Sequence, residues 1–231
     1  MSEQTYVLVH GAYQGGWIWK PVAARLRAAG HTVYAPSLDG CGDRHHTVRP
    51  GITLATHGQE IAHLLFYEDL QDVILVGTSA GGMVICKAAE LARDRIQRLV
   101  FVDALALKTG ESVPQIVNRS SPYETNDVTT GPTKADAEGR LFADLDPDTR
   151  VWALARYTPH PIAALEAPVE LETFWDQSWT ASVVYCHHSV NPPEPHQRRT
   201  AADLKASWHE LDAGHYPMLS HPEELTAILL A

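Results

Sequence analysis

The sequence predicts an α/β protein whose core is a mostly parallel sheet of about six strands flanked by helices. The first observation behind this prediction is that short apolar runs alternate with stretches of helical periodicity over much of the 231-residue chain. Such alternation is typical of a parallel sheet that helices cover on both faces. The second observation is that the alternation stops between residues 105 and 180, which indicates an insertion into the core.

Ten segments supply the predicted strands and helices of the core. The strand candidates are short apolar runs bounded by turn or helical sequence, at residues 6–10, 32–36, 73–77, 99–103, 182–186 and 208–211. The helix candidates carry apolar residues three or four positions apart, at residues 17–29, 54–67, 80–92 and 222–230. Pro222 suits a first helical turn, where its missing N–H donor is not needed.

The insertion divides the chain into a core and a predicted lid. Residues 1–104 and 181–231 are assigned to the core, and residues 105–180 to a helical lid over the site. The lid segment is rich in proline and aromatic residues, and we expect its Trp152 and Trp175 to line an apolar substrate pocket. The alternative is an ordinary helical excursion whose aromatic side chains simply pack on the sheet.

Residues 77–81 carry the most informative motif, with Gly77, Ser79 and Gly81 in the pattern G-x-S-x-G. The motif follows a strand candidate directly and precedes a helix candidate, which is typical of a nucleophile elbow that raises the serine above the sheet. Ser79 is therefore the candidate nucleophile, and the N–H of Ala80 at the helix N-terminus is a candidate oxyanion donor. The alternative is a glycine-rich turn whose serine caps the helix.

The base and the second oxyanion donor are predicted from their places along the chain. His215 follows the last strand candidate, where this architecture carries the histidine that activates the serine. The glycine-rich loop 10–17 follows the first strand, so the N–H of Ala12 is expected to join that of Ala80, with Tyr13 lining the pocket. The spacing of the loop glycines fits neither phosphate-binding pattern, which disfavours a nucleotide site.

Composition excludes several other classes of function. The chain has 28 acidic against 18 basic residues and a formal net charge of -10, which disfavours nucleic acid and anionic membranes as partners. No secretory pattern precedes the first strand, and the three cysteines indicate free thiols in a reducing compartment, so a cytoplasmic location is expected. The histidines at positions 187, 188 and 196 match no metal motif, and no metal or other cofactor is expected. The oligomeric state stays open, with a homodimer among the options.

Four segments together resemble one family. They are residues 9–12 followed by Trp17 and Trp19, residues 36–44, residues 77–81, and residues 213–222. The chain resembles the α/β-hydrolases, and in particular the branch that holds plant methylesterases, hydroxynitrile lyases and bacterial esterase relatives. The resemblance implies the α/β-hydrolase fold and cofactor-free acyl transfer at a buried serine.

The acid partner of the histidine departs from the pattern of that family. The resemblance implies an aspartate after the penultimate strand, but Ser189 occupies that position. Asp103, at the end of the strand next to the elbow strand, is the favoured acid, although it could instead cap the turn that follows. The second possibility is Glu194 or no acid at all, and Asp212 is the third candidate.

The leading functional hypothesis is a serine hydrolase that cleaves a small, fairly apolar carboxylic ester or lactone through an acyl-enzyme at Ser79. A hydroxynitrile lyase is disfavoured, because the resemblance implies a lysine where this chain has Tyr216. A polyketide-tailoring thioesterase or cyclase would use the same serine chemistry. A non-catalytic ligand binder on the same fold is the remaining alternative.

Overall fold

The structure, a computed structural model, describes residues 3–119 and 123–231. Its strands are β1 (Thr5–Val9), β2 (Thr32–Tyr34), β3 (Val73–Ser79), β4 (Ile96–Ala104), β5 (Glu124–Thr125), β6 (Thr129–Gly131), β7 (His160–Pro161), β8 (Ala181–Cys186) and β9 (Ser207–Leu211). Six of them form one sheet in the order β2-β1-β3-β4-β8-β9, and every neighbouring pair is parallel. The fold prediction is therefore confirmed, and each predicted strand lies in this sheet.

The α-helices of the described residues are α1 (Lys20–Ala28), α2 (Leu54–Tyr67), α3 (Gly81–Leu91), α4 (Val113–Ile116), α5 (Lys134–Asp136), α6 (Pro147–Leu154), α7 (Ile162–Glu166), α8 (Glu194–Leu204), α9 (Pro217–Ser220) and α10 (Pro222–Leu230). The helices α2 and α10 have the predicted bounds, whereas the predicted helix 17–29 consists of a 3₁₀ turn at Gly16–Trp19 and then α1. Among the described residues, none of these helices is long and apolar enough to cross a membrane.

The centre of the sheet is apolar on both faces, as expected for parallel strands between helices. Residues 73–78 of β3 and residues 99–104 of β4 are buried throughout. Glycine is required where β3 turns into α3, because a Cβ on Gly77 would lie 2.6 Å from the carbonyl oxygen of Gly81. The same close packing brings α3 against the end of β1, where a Cβ on Gly81 would lie 2.5 Å from the His10 oxygen.

The segment between β4 and β8 has its own secondary structure. It holds the helices α4 to α7 and a small antiparallel sheet in the order β5-β6-β7, and its residues 120–122 lie outside the described part of the chain. The sequence analysis predicts helices for this segment and misses the small sheet, since its strands are only two or three residues long. Cys41, Cys86 and Cys186 are free and buried.

Candidate active site

Ser79 is the last residue of β3, and its backbone φ of 53° lies in the left-handed region. A non-glycine residue held there is strained, and a serine in such a strand-to-helix turn is the geometry of a nucleophile elbow. Ala80 follows and occupies the N-cap position of α3. Ser79 lines a cavity of about 390 Å³, together with Ala80, Ala12 and His215.

His215 and Asp103 form the most direct contact of the site. The His215 Nδ1 atom lies 2.5 Å from Asp103 Oδ2, and the Asp103 side chain is fully buried. Asp103 lies near the end of β4 with a φ of 44°, one residue before Ala104, which pairs with Ser79 in the β3–β4 ladder. Neighbouring strands of one sheet thus carry the serine and the carboxylate. The loop after β9 brings the histidine to the carboxylate, and His215 lines the same cavity as Ser79.

Two further side chains hold this pair. The Gln197 Nε2 atom on α8 donates hydrogen bonds to Asp103 Oδ1 at 2.6 Å and to the carbonyl oxygen of Pro192 at 2.9 Å. Ser189 lies 3.4 Å from His215 Nδ1 through its Oγ atom, and the same hydroxyl donates to the carbonyl oxygen of Asn191 at 3.0 Å. Ser189, at the position of the expected acid, therefore lies farther from the imidazole than Asp103 does.

The other two carboxylates considered from the sequence have different partners. Glu194 begins α8 and accepts a hydrogen bond of 3.0 Å from Arg198 Nε. Asp212 Oδ1 lies 2.7 Å from His188 Nε2, and both side chains are exposed. The structure thus brings Asp103 to the histidine and directs Glu194 and Asp212 to partners at the surface.

The loop that carries Ala12 lies directly against the serine. A Cβ on Gly11 would be 2.6 Å from the Cβ of Ser79, so this close approach requires glycine. The buried His10 ring fixes the loop from behind: its Nδ1 lies 2.7 Å from the Gly11 oxygen, and its Nε2 accepts a hydrogen bond of 3.0 Å from the Leu38 N–H. Both bonds need a neutral imidazole with its proton on Nδ1.

His10 belongs to a buried histidine cluster, which we define as His10, His57 and His160. Burial lowers the pKa of His10 to about 4, and it lowers the pKa of His57 and of His160 below the ordinary value as well. The His57 and His160 rings meet edge to face at 5.7 Å, and His160 Nδ1 lies 3.5 Å from Cys41 Sγ. In residues 3–119 and 123–231, no group of three or more histidine, cysteine or acidic residues could hold a metal ion.

The three aromatic residues expected in the pocket have different places. Tyr13 lines the cavity, with its ring 5.7 Å from that of Tyr157. Trp152 instead packs edge-on against Trp17 at 5.2 Å. Trp175 donates a hydrogen bond of 3.1 Å from its indole nitrogen to the carbonyl oxygen of Leu107.

The expectation for the two tryptophans is therefore corrected. Neither Trp152 nor Trp175 is among the described residues that line the cavity. Trp152 packs the inserted segment against Trp17 of the core, and Trp175 forms its hydrogen bond within the inserted segment. Much of the lining that the sequence analysis misses comes from the same segment. It includes the aliphatic residues Val113, Val117, Leu141 and Leu165 and the two arginines Arg119 and Arg140.

Fold and site together define a member of the alpha/beta hydrolase family, whose model matches residues 6–228. The chain belongs to this family and is a carboxylic ester hydrolase. It is 33% identical to the carbendazim hydrolyzing esterase of Nocardioides sp. (strain SG-4G), over 98% of both chains. It is 28% identical to methylesterase 3 of Arabidopsis thaliana, over 99% of this chain and 95% of the relative.

Solved structures share the fold over the whole chain. Polyneuridine aldehyde esterase superposes with a TM-score of 0.81 at 21% identity and covers 99% of this chain and 98% of its own. An extracellular alpha/beta-hydrolase from a Paenibacillus species superposes with a TM-score of 0.79 at 24% identity, over 98% of both chains. At these identities the superpositions speak for the fold alone.

Proposed function

We propose that the protein is a serine hydrolase that cleaves small carboxylic esters or lactones through an acyl-enzyme at Ser79. The observation that carries the proposal is the 2.5 Å contact between the buried Asp103 carboxylate and His215 Nδ1, at the edge of the cavity that Ser79 lines. A carboxylate at Nδ1 keeps the proton on that nitrogen, which leaves Nε2 to act as the base. This is the arrangement that activates a serine hydroxyl.

The proposed reaction has two halves. The Ser79 oxygen attacks the carbonyl carbon of the ester while His215 Nε2 takes the hydroxyl proton, and the N–H groups of Ala12 and Ala80 stabilise the oxyanion. The tetrahedral intermediate collapses to an acyl-enzyme, and the imidazolium gives its proton to the departing alcohol. Water then attacks the acyl carbon with His215 again as the base, which releases the acid and restores the serine.

The cavity supports a small and mostly apolar substrate. A volume of about 390 Å³ suits a ligand of modest size, and Leu105, Val113 and Leu165 are part of its wall. The relatives named as a carbendazim hydrolyzing esterase and as methylesterases support esters with small groups. We also propose that residues 105–180 act as the lid, because this segment supplies much of the wall that lines the cavity with Ser79.

The test is hydrolysis of 4-nitrophenyl acetate and butyrate by the wild type and by Ser79→Ala. We expect a loss of at least about 10³-fold in kcat, because the nucleophile is removed. Mass spectrometry of acid-quenched wild type should find one acyl group on the peptide that contains Ser79. The matched control is Ser178→Ala, an exposed serine whose loss should leave the rate unchanged. Equal rates for the wild type and Ser79→Ala would refute the proposal.

A further inference from the structure

Arg140 stands out in the wall of the active-site cavity, which also contains Ser79 and His215. Within residues 3–119 and 123–231 its guanidinium forms no hydrogen bond or ion pair, and its Nε and Nη2 atoms are shielded from solvent. Buried charged groups in native proteins are normally paired, since leaving their N–H donors without a partner costs free energy. The Arg140 side chain therefore lacks the hydrogen-bond acceptor that it needs, and the described residues do not supply one.

The other arginine of the cavity has its partners within the chain. Arg119 donates two hydrogen bonds to the Glu166 carboxylate, at 2.6 and 3.1 Å. Its guanidinium carbon also lies 4.4 Å from the centre of the Tyr123 ring. The charge of Arg119 is thus balanced, and the unbalanced positive charge in the wall belongs to Arg140.

One carboxylate, that of Asp144, also lines the cavity. It lies against the histidine loop, where a Cβ on Gly214 would collide with it, and it forms no ion pair with Arg140. Asp144 is exposed, so water screens its charge, whereas the Nε and Nη2 atoms of Arg140 are shielded. Of these two side chains, Arg140 therefore has the less solvated charge and the greater need of a partner.

The backbone at Arg140 is unusual as well. Residues Ala137–Leu141 form a π-helical turn, closed by a hydrogen bond of 2.9 Å from the Phe142 N–H to the Ala137 oxygen. Such turns are rare and occur frequently at functional sites. This turn brings Arg140 and Leu141 together to the cavity wall.

We propose that Arg140 is an anion-binding subsite, and that the preferred substrates are esters that carry a second, free carboxylate. The Arg140 guanidinium lines the cavity and has no ion-pair partner among the described residues, so a substrate carboxylate in the cavity would supply the charge-assisted hydrogen bond that it lacks. Half-esters of dicarboxylic acids have this chemistry: the ester reacts at Ser79 and the carboxylate pairs with Arg140. This inference rests on the proposed ester hydrolysis and specifies its substrate class.

The test compares the 4-nitrophenyl monoesters of succinic, glutaric and adipic acid with neutral 4-nitrophenyl esters of equal acyl length. We expect kcat/KM to be roughly 10- to 100-fold higher for at least one half-ester, as befits a charged hydrogen-bonded pair. Arg140→Gln should remove this preference by raising KM for the half-esters, so that the ratio of kcat/KM between half-esters and neutral esters falls to about one. Arg140→Lys keeps the charge but loses the planar guanidinium, so this variant should retain part of the preference. Arg25→Gln, at an exposed site on α1, is the matched control.

Two readouts separate this inference from the proposed function. If the wild type hydrolyses neutral esters as fast as every half-ester, the subsite is refuted while ester hydrolysis at Ser79 stands. If no ester is hydrolysed, binding of monomethyl glutarate to Ser79→Ala is measured by calorimetry. Binding that Arg140→Gln abolishes supports the subsite without catalysis, and binding that this substitution leaves intact refutes it. Circular dichroism checks folding of each variant, and Arg140→Lys replaces the glutamine variant if the latter does not fold.

Discussion

Gln197 donates a hydrogen bond of 2.6 Å to Asp103 Oδ1, which leaves Oδ2 for the Nδ1 atom of His215. Both carboxylate oxygens are therefore engaged, one from α8 and one from the loop after β9. The Oε1 atom of Gln197 has no hydrogen-bond partner within the described residues, so this side chain acts through its NH₂ group alone. Gln197 thereby fixes the rotation of the carboxylate that faces the histidine.

Replacing Gln197 by leucine should weaken both the fold and the site. The variant leaves Asp103 Oδ1 buried without its donor, so we expect the free energy of unfolding to fall by about 1.5–3 kcal/mol. We also expect kcat/KM for 4-nitrophenyl butyrate to fall by about tenfold, because the carboxylate is free to turn. Urea unfolding and steady-state kinetics measure the two effects. Gln59→Leu, at an exposed position of α2, should change neither, and an unchanged Gln197→Leu would contradict the positioning role.

The acid assignment is tested by comparing Asp103→Asn with Glu194→Gln. The asparagine amide would favour the wrong tautomer of His215, so kcat should fall by about 10³- to 10⁴-fold. Glu194→Gln should keep nearly full activity, since Glu194 pairs with Arg198 at the surface. Initial rates on 4-nitrophenyl butyrate distinguish the two. Activity lost only in Glu194→Gln would show that Asp103 is not the acid.

The loop of residues 10–17, which we propose carries the oxyanion donor Ala12, should be intolerant of a single methyl group. The new Cβ of Gly11→Ala would lie 2.6 Å from the Ser79 Cβ. The loop must therefore move, and this movement would carry the Ala12 N–H out of position. We expect a fall in kcat of about 100-fold, the effect of losing one oxyanion donor. Gly139→Ala is the control, because its added Cβ would meet nothing within 4 Å. Similar kcat values for the two variants would argue against Ala12 as a donor.

The buried histidine cluster should make stability depend on pH. Its members have lowered pKa values in the folded protein, about 4 for His10, against about 6.5 in the unfolded chain. Between these values the unfolded state binds more protons, so stability is fully present above about pH 6.5 and is lost as the pH falls toward 4. Each histidine contributes a slope of up to about 1.4 kcal/mol per pH unit.

Urea unfolding at several pH values between 4.5 and 7.5 measures this slope. His160→Phe should lower the slope by the contribution of about one proton. His63→Gln, at an exposed position, should leave the slope unchanged. A free energy of unfolding that does not change over this pH range would contradict the assignment of neutral, buried histidines.

The predicted and observed structures differ where local pattern carries little information. The apolar runs of the large sheet and the helix α2 are evident from periodicity. The helix α8 is not, because its buried face carries His196, Gln197 and Thr200 where apolar residues would mark a helix. Gln197 is consequently also absent from the predicted site, although it holds Asp103.

The site is predictable where chain order decides it. Ser79 and His215 follow from their places beside strands, and the closeness of Asp103 follows from the adjacency of β3 and β4. The orientation of Trp152 and Trp175 does not follow, since aromatic composition does not say which face of an irregular segment meets the cavity. Arg140 lies in a π-helical turn that has no sequence signature, so nothing in the sequence marks it out.

The placement of Asp103 on β4 has a consequence for how this enzyme can diversify. The carboxylate and Ser79 are carried by two central, hydrogen-bonded strands, so the loop after β8 does not have to hold the carboxylate that contacts His215. Residues 188–192 of that loop all line the cavity. Substitutions there can reshape the pocket while the Asp103–His215 contact is retained. That loop is therefore the natural place to randomise in a search for new substrates.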